Sequence, residues 1–329
     1  MSDPEQNQPI GSTDAFLEGL FASLRRLNAG RCQIILAASG GCDSTALVLG
    51  SARLAGRLGL SLTVACLDHG LRPEAGAEVA RVAAFAEALE LRFVTRHLGL
   101  EPGAGVEERA RIARYAALAD LREELGATFV ATAHTASDQA ETLLMRLGRG
   151  SALKGAAGIL ERTGHLLRPL LFATRPEVRS WLSSQGKTWV DDPMNDDLAY
   201  LRVKVRQTVM PALEAAFDPR VPVRLARFAA LAQEDDALLT RLADEAWDQV
   251  RLSDGNLSAA LLVEAPRPLA RRWLVRYLSE RGVRPDFELV NDALNAVALG
   301  RVQTLPKDLV LVTRAGVVRV EPSAPRHRE

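Results

Sequence analysis

The sequence predicts an α/β protein: a parallel, Rossmann-like sheet with helices on both faces, followed by a smaller, mainly helical domain. Three observations carry that prediction. Apolar runs of strand length recur at about 32–38, 62–67, 91–95 and 127–133, with amphipathic helical patterns between them at about 44–58, 76–90 and 106–125. Four strand–helix units in succession call for parallel pairing with right-handed crossovers, which covers both faces of the sheet. After Asp218-Pro219 the alternation stops and long helical patterns take over at about 222–250, 268–281 and 286–298, so a domain boundary is expected near 218.

Taken in order, residues 1–12 are polar and rich in Pro, Gly and Ser, and are expected to be disordered. Ser12 or Thr13 can cap a helix bearing Phe16, Leu20, Leu24 and Leu27. The first strand runs into the small-residue turn Ser39-Gly40-Gly41-Cys42-Asp43-Ser44 and then a helix through Leu49. The second ends at Asp68-His69-Gly70-Leu71-Arg72, and the fourth at His134 to Glu141. Thr174-Arg-Pro-Glu177 reads as a capping box with proline in the first turn of a helix through Trp181 and Leu182, ended by Gly186. An acidic turn at 191–197 precedes a helix carrying Arg202, Lys204 and Arg206. Apolar runs at 309–312 and 317–320 flank Arg314-Ala-Gly316 as a terminal hairpin.

Composition sets the outer bounds. With 329 residues, 47% of them hydrophobic, the chain can fill two ordinary domains. Lys+Arg and Asp+Glu both number 41, so net charge names no acidic partner. Cys32, Cys42 and Cys66 form no CxxC pair, which argues against a disulfide framework or a zinc knuckle. A charged, apolar-run signal and a membrane-length span are both missing, so a cytoplasmic protein with no membrane partner is expected.

In open parallel sheets the ligand lies beyond the carboxyl ends of the strands. Three polar clusters share that edge: 39–44, 68–72 and 134–141. In the first, Gly40 and Gly41 let backbone N–H groups approach a phosphate, Ser39 and Ser44 offer hydroxyls, and Cys42 is a small packed residue. Asp43 beside bare phosphates implies an intervening magnesium ion. The loop lacks the Gly-Lys-Ser/Thr end of a Walker motif and is not GxGxxG.

The string SGGCDS resembles the PP-loop of N-type ATP pyrophosphatases, which split ATP between the α- and β-phosphates. Further matches narrow the likeness. Ala131-Thr-Ala-His134 through Asp138-Gln139-Ala-Glu141-Thr142 to Arg149-Gly150, Asp68-His69-Gly70-Leu71-Arg72, and Glu107 to Tyr115 resemble signatures of the tRNA(Ile)-lysidine synthetase family. So do Arg168-Pro169-Leu170, Trp189 to Asn195, and Arg202 with Arg206, over about residues 30–215. Two positions depart from the family pattern: Ser137 replaces the first of a double aspartate, and Val203 an asparagine. The resemblance implies ATP and Mg2+ as cofactors, with tRNA(Ile) bearing a CAU anticodon and free lysine as partners. It further implies adenylation of the wobble cytidine's 2-carbonyl and then displacement of AMP by lysine's ε-amine.

Residues can be matched to those requirements. Arg111 or Arg114 would help magnesium neutralise pyrophosphate; Asp138, Glu141 and Asp43 are acidic hosts for the lysine ammonium; His134 or a carboxylate would take its proton. Asp68 and His69 orient the nucleotide. Arg202, Lys204 and Arg206, with Arg267, Arg271, Arg272 and Arg276 in the second domain, are candidate tRNA contacts. Plainer readings stay open: His134 bonding a loop carbonyl, acids at a helix start complementing its dipole, Asp68 capping a loop, and arginines on solvated faces. Rival functions are a tRNA thiolase, which would need sulfur-carrying cysteines, a small-molecule amidating ligase, and an inactive nucleotide- or RNA-binding module.

Overall fold

The computed structural model describes residues 14–68, 70, 75–101, 103, 105–190 and 200–323. The N-terminal twelve residues, His69, Leu71, Arg72 and the acidic turn at 191–197 lie outside the described residues.

Alternate side chains of a buried strand must find apolar partners on both faces. In β1 (Gln33–Ala37), Ile34 and Leu36 pack with α1 (Ala15–Arg26), α2 (Cys42–Leu58) and α7 (Arg175–Ser184), through Leu20, Leu47 and Leu182. Ile35 and Ala37 point the other way, onto Leu118 and Leu121 of α4 (Val106–Glu124). Helices α1 and α2 cross closely at Gly50, where a Cβ would sit 2.7 Å from Leu20 Cδ2.

The remaining strands are β2 (Ser61–Asp68), β3 (Arg92–His97), β4 (Phe129–Ala131), β5 (Arg162–Thr163) and β6 (Leu166–Leu167). They assemble in the order β3-β2-β1-β4-β6-β5, parallel except for the β5 edge. Leu36 lies opposite Val64 on one side and Ala131 on the other. From β1 the chain winds outward through α3 (Ala75–Glu87) to β3, then returns to the far side of β1 as β4. Winding therefore reverses between β1 and β4, and a crevice opens at such a point.

Helix α5 (Ala136–Leu147) follows β4, and a short α6 (Leu153–Ala156) precedes the β5–β6 hairpin. The α7 capping box is as expected, with Thr174 and Glu177 bonded reciprocally. Residues 201–216 form one helical run in three parts: α8 (Leu201–Lys204), a π-helical turn (Val205–Val209) and α9 (Met210–Ala216).

The chain divides into compact units at Ala230/Leu231, inside the long α10 (Val221–Glu245), rather than at 218. The physical reason is that Val221 and Leu225 pack with Ala140, Leu144, Met210 and Leu213 of the first unit, so the helix begins as part of that core. The second unit contains α11 (Trp247–Val250), α12 (Ala259–Glu264), α13 (Arg267–Glu280) and α14 (Phe287–Leu299). Beside them stands a four-stranded antiparallel sheet ordered β7-β10-β9-β8. Its strands are β7 (Leu257–Ser258), β8 (Gln303–Leu305), β9 (Leu309–Arg314) and β10 (Val317–Pro322). The expected hairpin is β9–β10; β7 and β8 are too short to leave an alternation in the sequence.

Tyr277 is the largest fully buried side chain of that unit, its hydroxyl 2.9 Å from Asn256 Oδ1 and 3.1 Å from the Val318 carbonyl oxygen. Tyr277→Phe should leave both acceptors without this donor and lower stability by about 1–2 kcal/mol, read as a lower thermal midpoint.

Candidate functional site

The crevice at the β1–β4 switch is a cavity of about 770 Å³ reached by the ends of β1, β2 and β4 and by the start of α7. Its floor is the 39–44 turn. Gly40 has φ +80, and a Cβ there would also meet Val82 Cγ2 at 3.4 Å. Ser44 Oγ donates to the Gly41 carbonyl at 3.0 Å and accepts the Ser39 N–H at 3.1 Å, closing the turn on itself. Thr45 Oγ1 donates to the same carbonyl. Gly41 makes no side-chain cap hydrogen bond at the start of this 17-residue helix, and a helix N-terminus of that kind favours an anion.

A network of carboxylates and guanidiniums forms the opposite wall. Thr135 and Asp138 make a capping box at the start of α5: the Thr135 N–H and hydroxyl both donate to Asp138 Oδ2 at 2.8 Å. Asp138 Oδ1 accepts from Arg175 Nη2 at 2.9 Å. Glu141, one turn on and 2% exposed, accepts from Arg175 Nη1 at 3.2 Å, Arg202 Nε at 2.9 Å and Arg206 Nε at 2.8 Å. Arg175 Nε also reaches Asp43 Oδ2 at 3.4 Å. One guanidinium thus joins the phosphate turn to both carboxylates of α5.

The electrostatics follow from burial against pairing. Burial pushes Asp43 up to about 6, against the pull of Arg175, with the charge of Asp138 adding to the rise. Burial also acts to raise Asp138, but Arg175, Arg202, His134 and the Thr135 N–H outweigh it and hold that carboxyl down to about 2. Glu141 is lowered in the same way, its burial overcome chiefly by Arg206. Burial depresses His134 to about 4. Its Nδ1 lies 3.0 Å from Thr132 Oγ1, so at neutral pH it is an uncharged, hydrogen-bonded ring and a weak proton acceptor.

Asp43 Oδ1 is buried and has no hydrogen-bond partner among the described residues. An orphaned carboxylate oxygen beside helix N–H groups fits a hard divalent cation whose remaining ligands are phosphate oxygens and water. No cluster of three or more metal-binding side chains occurs among the described residues, so such an ion would depend on the nucleotide for its hold.

The structure brings most of the sequence candidates together and separates others. Ser39, Gly41, Cys42, Asp43, Ser44, Asp68, Arg114, His134, Asp138 and Arg206 all line the cavity. Asp68 is itself engaged, accepting the Gly70 N–H at 2.8 Å and pairing with His97 Nδ1 at 2.9 Å. Arg114 makes no hydrogen bond or ion pair among the described residues, which leaves its guanidinium available to a ligand. Arg111, one turn away on α4, is instead exposed and paired with Glu108 at 2.7 Å, outside the cavity lining. Arg202 and Arg206 turn onto Glu141 while Lys204 is exposed. Arg271 and Arg272 belong to the second unit. Ser137 accepts the Arg175 N–H at 3.0 Å and so pins α7 to α5, and Val203 is buried.

Sequence reasoning missed Arg175. It stood in the motif only as a residue inside a capping box, and a first-turn arginine carries no signal of where its guanidinium goes. Tertiary contact decides that: Ala136 N–H donates to the Ala173 carbonyl at 2.8 Å, which sets the two helix starts side by side.

A profile of the PP-loop domain family (ATP_bind_3) matches residues 17–213. The chain is 40% identical over 299 residues to a tRNA(Ile)-lysidine synthase of Thermus thermophilus, an overlap of 89% of this chain and 57% of that protein. It is 39% identical over 307 residues to the tRNA(Ile)-lysidine synthase of Salinispora tropica, covering 88% of this chain and 91% of the relative. This chain belongs to the tRNA(Ile)-lysidine synthase family. It spans little more than half the length of its Thermus relative. Among solved structures, the U34-tRNA thiolase of Methanococcus maripaludis with its 4Fe–4S cluster aligns with a TM-score of 0.56 over 66% of this chain and 78% of that one. At 16% identity, that likeness is one of fold. No described helix is long and apolar enough to cross a membrane.

Two outcomes are expected of this site. Glu141→Ala leaves three guanidiniums without their shared acceptor and should cost about 3–5 kcal/mol in urea unfolding. For Asp43 the folded pKa lies above the ordinary value of 3.8, so its contribution to stability is fully present below about pH 4 and is lost as pH rises through about 6. Without added metal, Asp43→Asn should therefore gain on the wild type across that window, by up to about 3 kcal/mol, in melts taken at stepped pH.

Proposed function

We propose that this chain activates a carbonyl of tRNA with ATP and joins free lysine to it: adenylation of the 2-carbonyl of the wobble cytidine in CAU-anticodon tRNA(Ile), then formation of lysidine with loss of AMP and pyrophosphate. The observation that carries the reading is the pairing of an uncapped helix start at 39–44 with an orphaned Asp43 oxygen in one cavity. Family membership supports the substrate.

In this reading the backbone N–H groups at the start of α2 and the hydroxyls of Ser39 and Ser44 bind the phosphates that leave as pyrophosphate. A magnesium ion at Asp43 would neutralise phosphate charge and polarise the α-phosphoryl group. Arg114, on the cavity wall and without an ion pair among the described residues, adds positive charge where the transition state spreads negative charge. His134 enters as a neutral hydrogen-bonding group. The lysine ammonium needs an acidic host, and Asp138, Glu141 and Asp43 are the carboxylates at hand; Glu141 would exchange a guanidinium for it. Arg202 and Lys204, on α8 just before the cavity-lining Arg206, would meet an RNA backbone, and the target base has to leave its stack to reach the site.

The thiol chemistry of a thiolase is not favoured by these cysteines. Burial pushes Cys66 up to about 11 and raises Cys32 as well, so neither is a ready thiolate nucleophile.

Incubation with ATP, magnesium, labelled lysine and a CAU-anticodon tRNA(Ile) transcript should put label into the RNA. Asp43→Ala should reduce pyrophosphate release by on the order of 10²-fold or more. A chain that binds ATP yet transfers no lysine to that transcript is incompatible with the proposal.

A further inference from the structure

The four arginines on the exposed side of α13 look equivalent in sequence, and the structure divides them into two kinds. Arg272 is ion-paired with Asp236, and Arg276 lies 3.3 Å from both Asp244 and Glu280. Their charge is spent within the unit. Arg267 and Arg271 face α14 instead, where their partners are neutral amides: Arg267 Nη2 donates to Asn295 Oδ1 at 2.6 Å and Arg271 Nε to Asn291 Oδ1 at 3.0 Å. Neither forms an ion pair among the described residues.

Sequence spacing makes this a regular array. Arg267 and Arg271 are one turn apart on α13, and Phe287, Asn291 and Asn295 succeed one another at the same interval on α14. Asn291 Nδ2 donates to the Phe287 carbonyl at 2.9 Å, which leaves its Oδ1 aimed at Arg271. Phe287 is 55% exposed, with the Arg271 guanidinium 5.5 Å from its ring centre. None of the nearby acids is ion-paired with either arginine among the described residues: Asp286 caps α14, where it accepts the Leu289 N–H at 2.8 Å, and Glu288 and Asp292 stand roughly 100° round the helix from Phe287 and Asn291.

We infer that the α13–α14 face bearing Arg267, Arg271, Phe287, Asn291 and Asn295 holds one strand of RNA, with phosphates on the two arginines and a base laid against Phe287. Two uncompensated guanidiniums about 6 Å apart along a helix match adjacent phosphates of a single strand. Each keeps donors that the asparagine does not use. An exposed ring beside a guanidinium is a stacking platform for any base, and the asparagine amides fix both arginines without neutralising them. An exposed phenylalanine beside a cation, otherwise a cost in water, then has an occupant. The inference rests on the RNA-modifying reading above, and it places the contact on one pair of arginines and not the other.

The test is binding of a labelled CAU-anticodon tRNA(Ile) transcript to the full chain across a salt series. In Arg267→Ala/Arg271→Ala the slope of log affinity against log salt should fall by about two, and Arg267→Lys/Arg271→Lys should restore it. Phe287→Ala should weaken binding about tenfold with the slope kept. An unchanged slope in the alanine pair, or the same loss appearing in Arg272→Ala/Arg276→Ala instead, overturns the assignment while lysine transfer by the wild type still stands. A wild-type chain that binds no transcript sinks the RNA reading itself. Unchanged melting of the alanine pair separates lost contact from lost fold.

Discussion

The site depends on one guanidinium. Arg175 stands between the phosphate turn and helix α5, and three carboxylates, Asp43, Asp138 and Glu141, converge on it. Buried charges are tolerable only when paired and hydrogen-bonded, so Asp43 and Asp138 can line one cavity with Glu141 buried behind them because Arg175, with Arg202 and Arg206, sits among them. The arrangement also ties together segments distant in the chain: the starts of α2, α5 and α7 and the helical run after 200. A π-helical turn lies within that run, beginning one residue before Arg206. Such turns insert a residue into a helix and re-aim the side chains beside it.

Charge balance in the network is uneven in a useful way. Asp138 and Glu141 are held ionised by their arginines, whereas Asp43 is raised to about 6 and keeps one oxygen without a partner. Two carboxylates are therefore held by arginines, and the third keeps the oxygen that the proposed cation would take. The neutral ring of His134 fits the same picture: burial lowers it most, and the charges of Arg168, Arg202 and Arg114 add to that against the pull of Asp138.

Much of this was legible in the chain itself. The β1 run and the Gly40-Gly41 turn required no tertiary information, because strand burial, a positive φ and an uncapped helix start each leave a local mark. The capping box at Thr174 was equally plain. Other parts were not. Arg111 and Arg114 share a helix face by spacing, yet one pairs with Glu108 in solvent and the other lines the cavity, a difference set by what packs against each turn of α4. Arg202 and Arg206 read as a basic face and prove to be counter-ions of Glu141. The short strands β7 and β8, of two and three residues, carry no alternation to detect.

The sequence by itself determined the alternation of strand and helix, the edge of the sheet at which polar residues gather, and the phosphate turn, since each follows from periodicity or backbone conformation within a few residues. The tertiary structure alone decided which charges meet. Long arginine side chains have no preferred partner along the chain, and the choice falls to whichever buried carboxylate the fold places within reach. That is why Arg175, silent in its motif, stands at the centre of the site, and why Arg267 and Arg271 keep the charge that Arg272 and Arg276 have already spent.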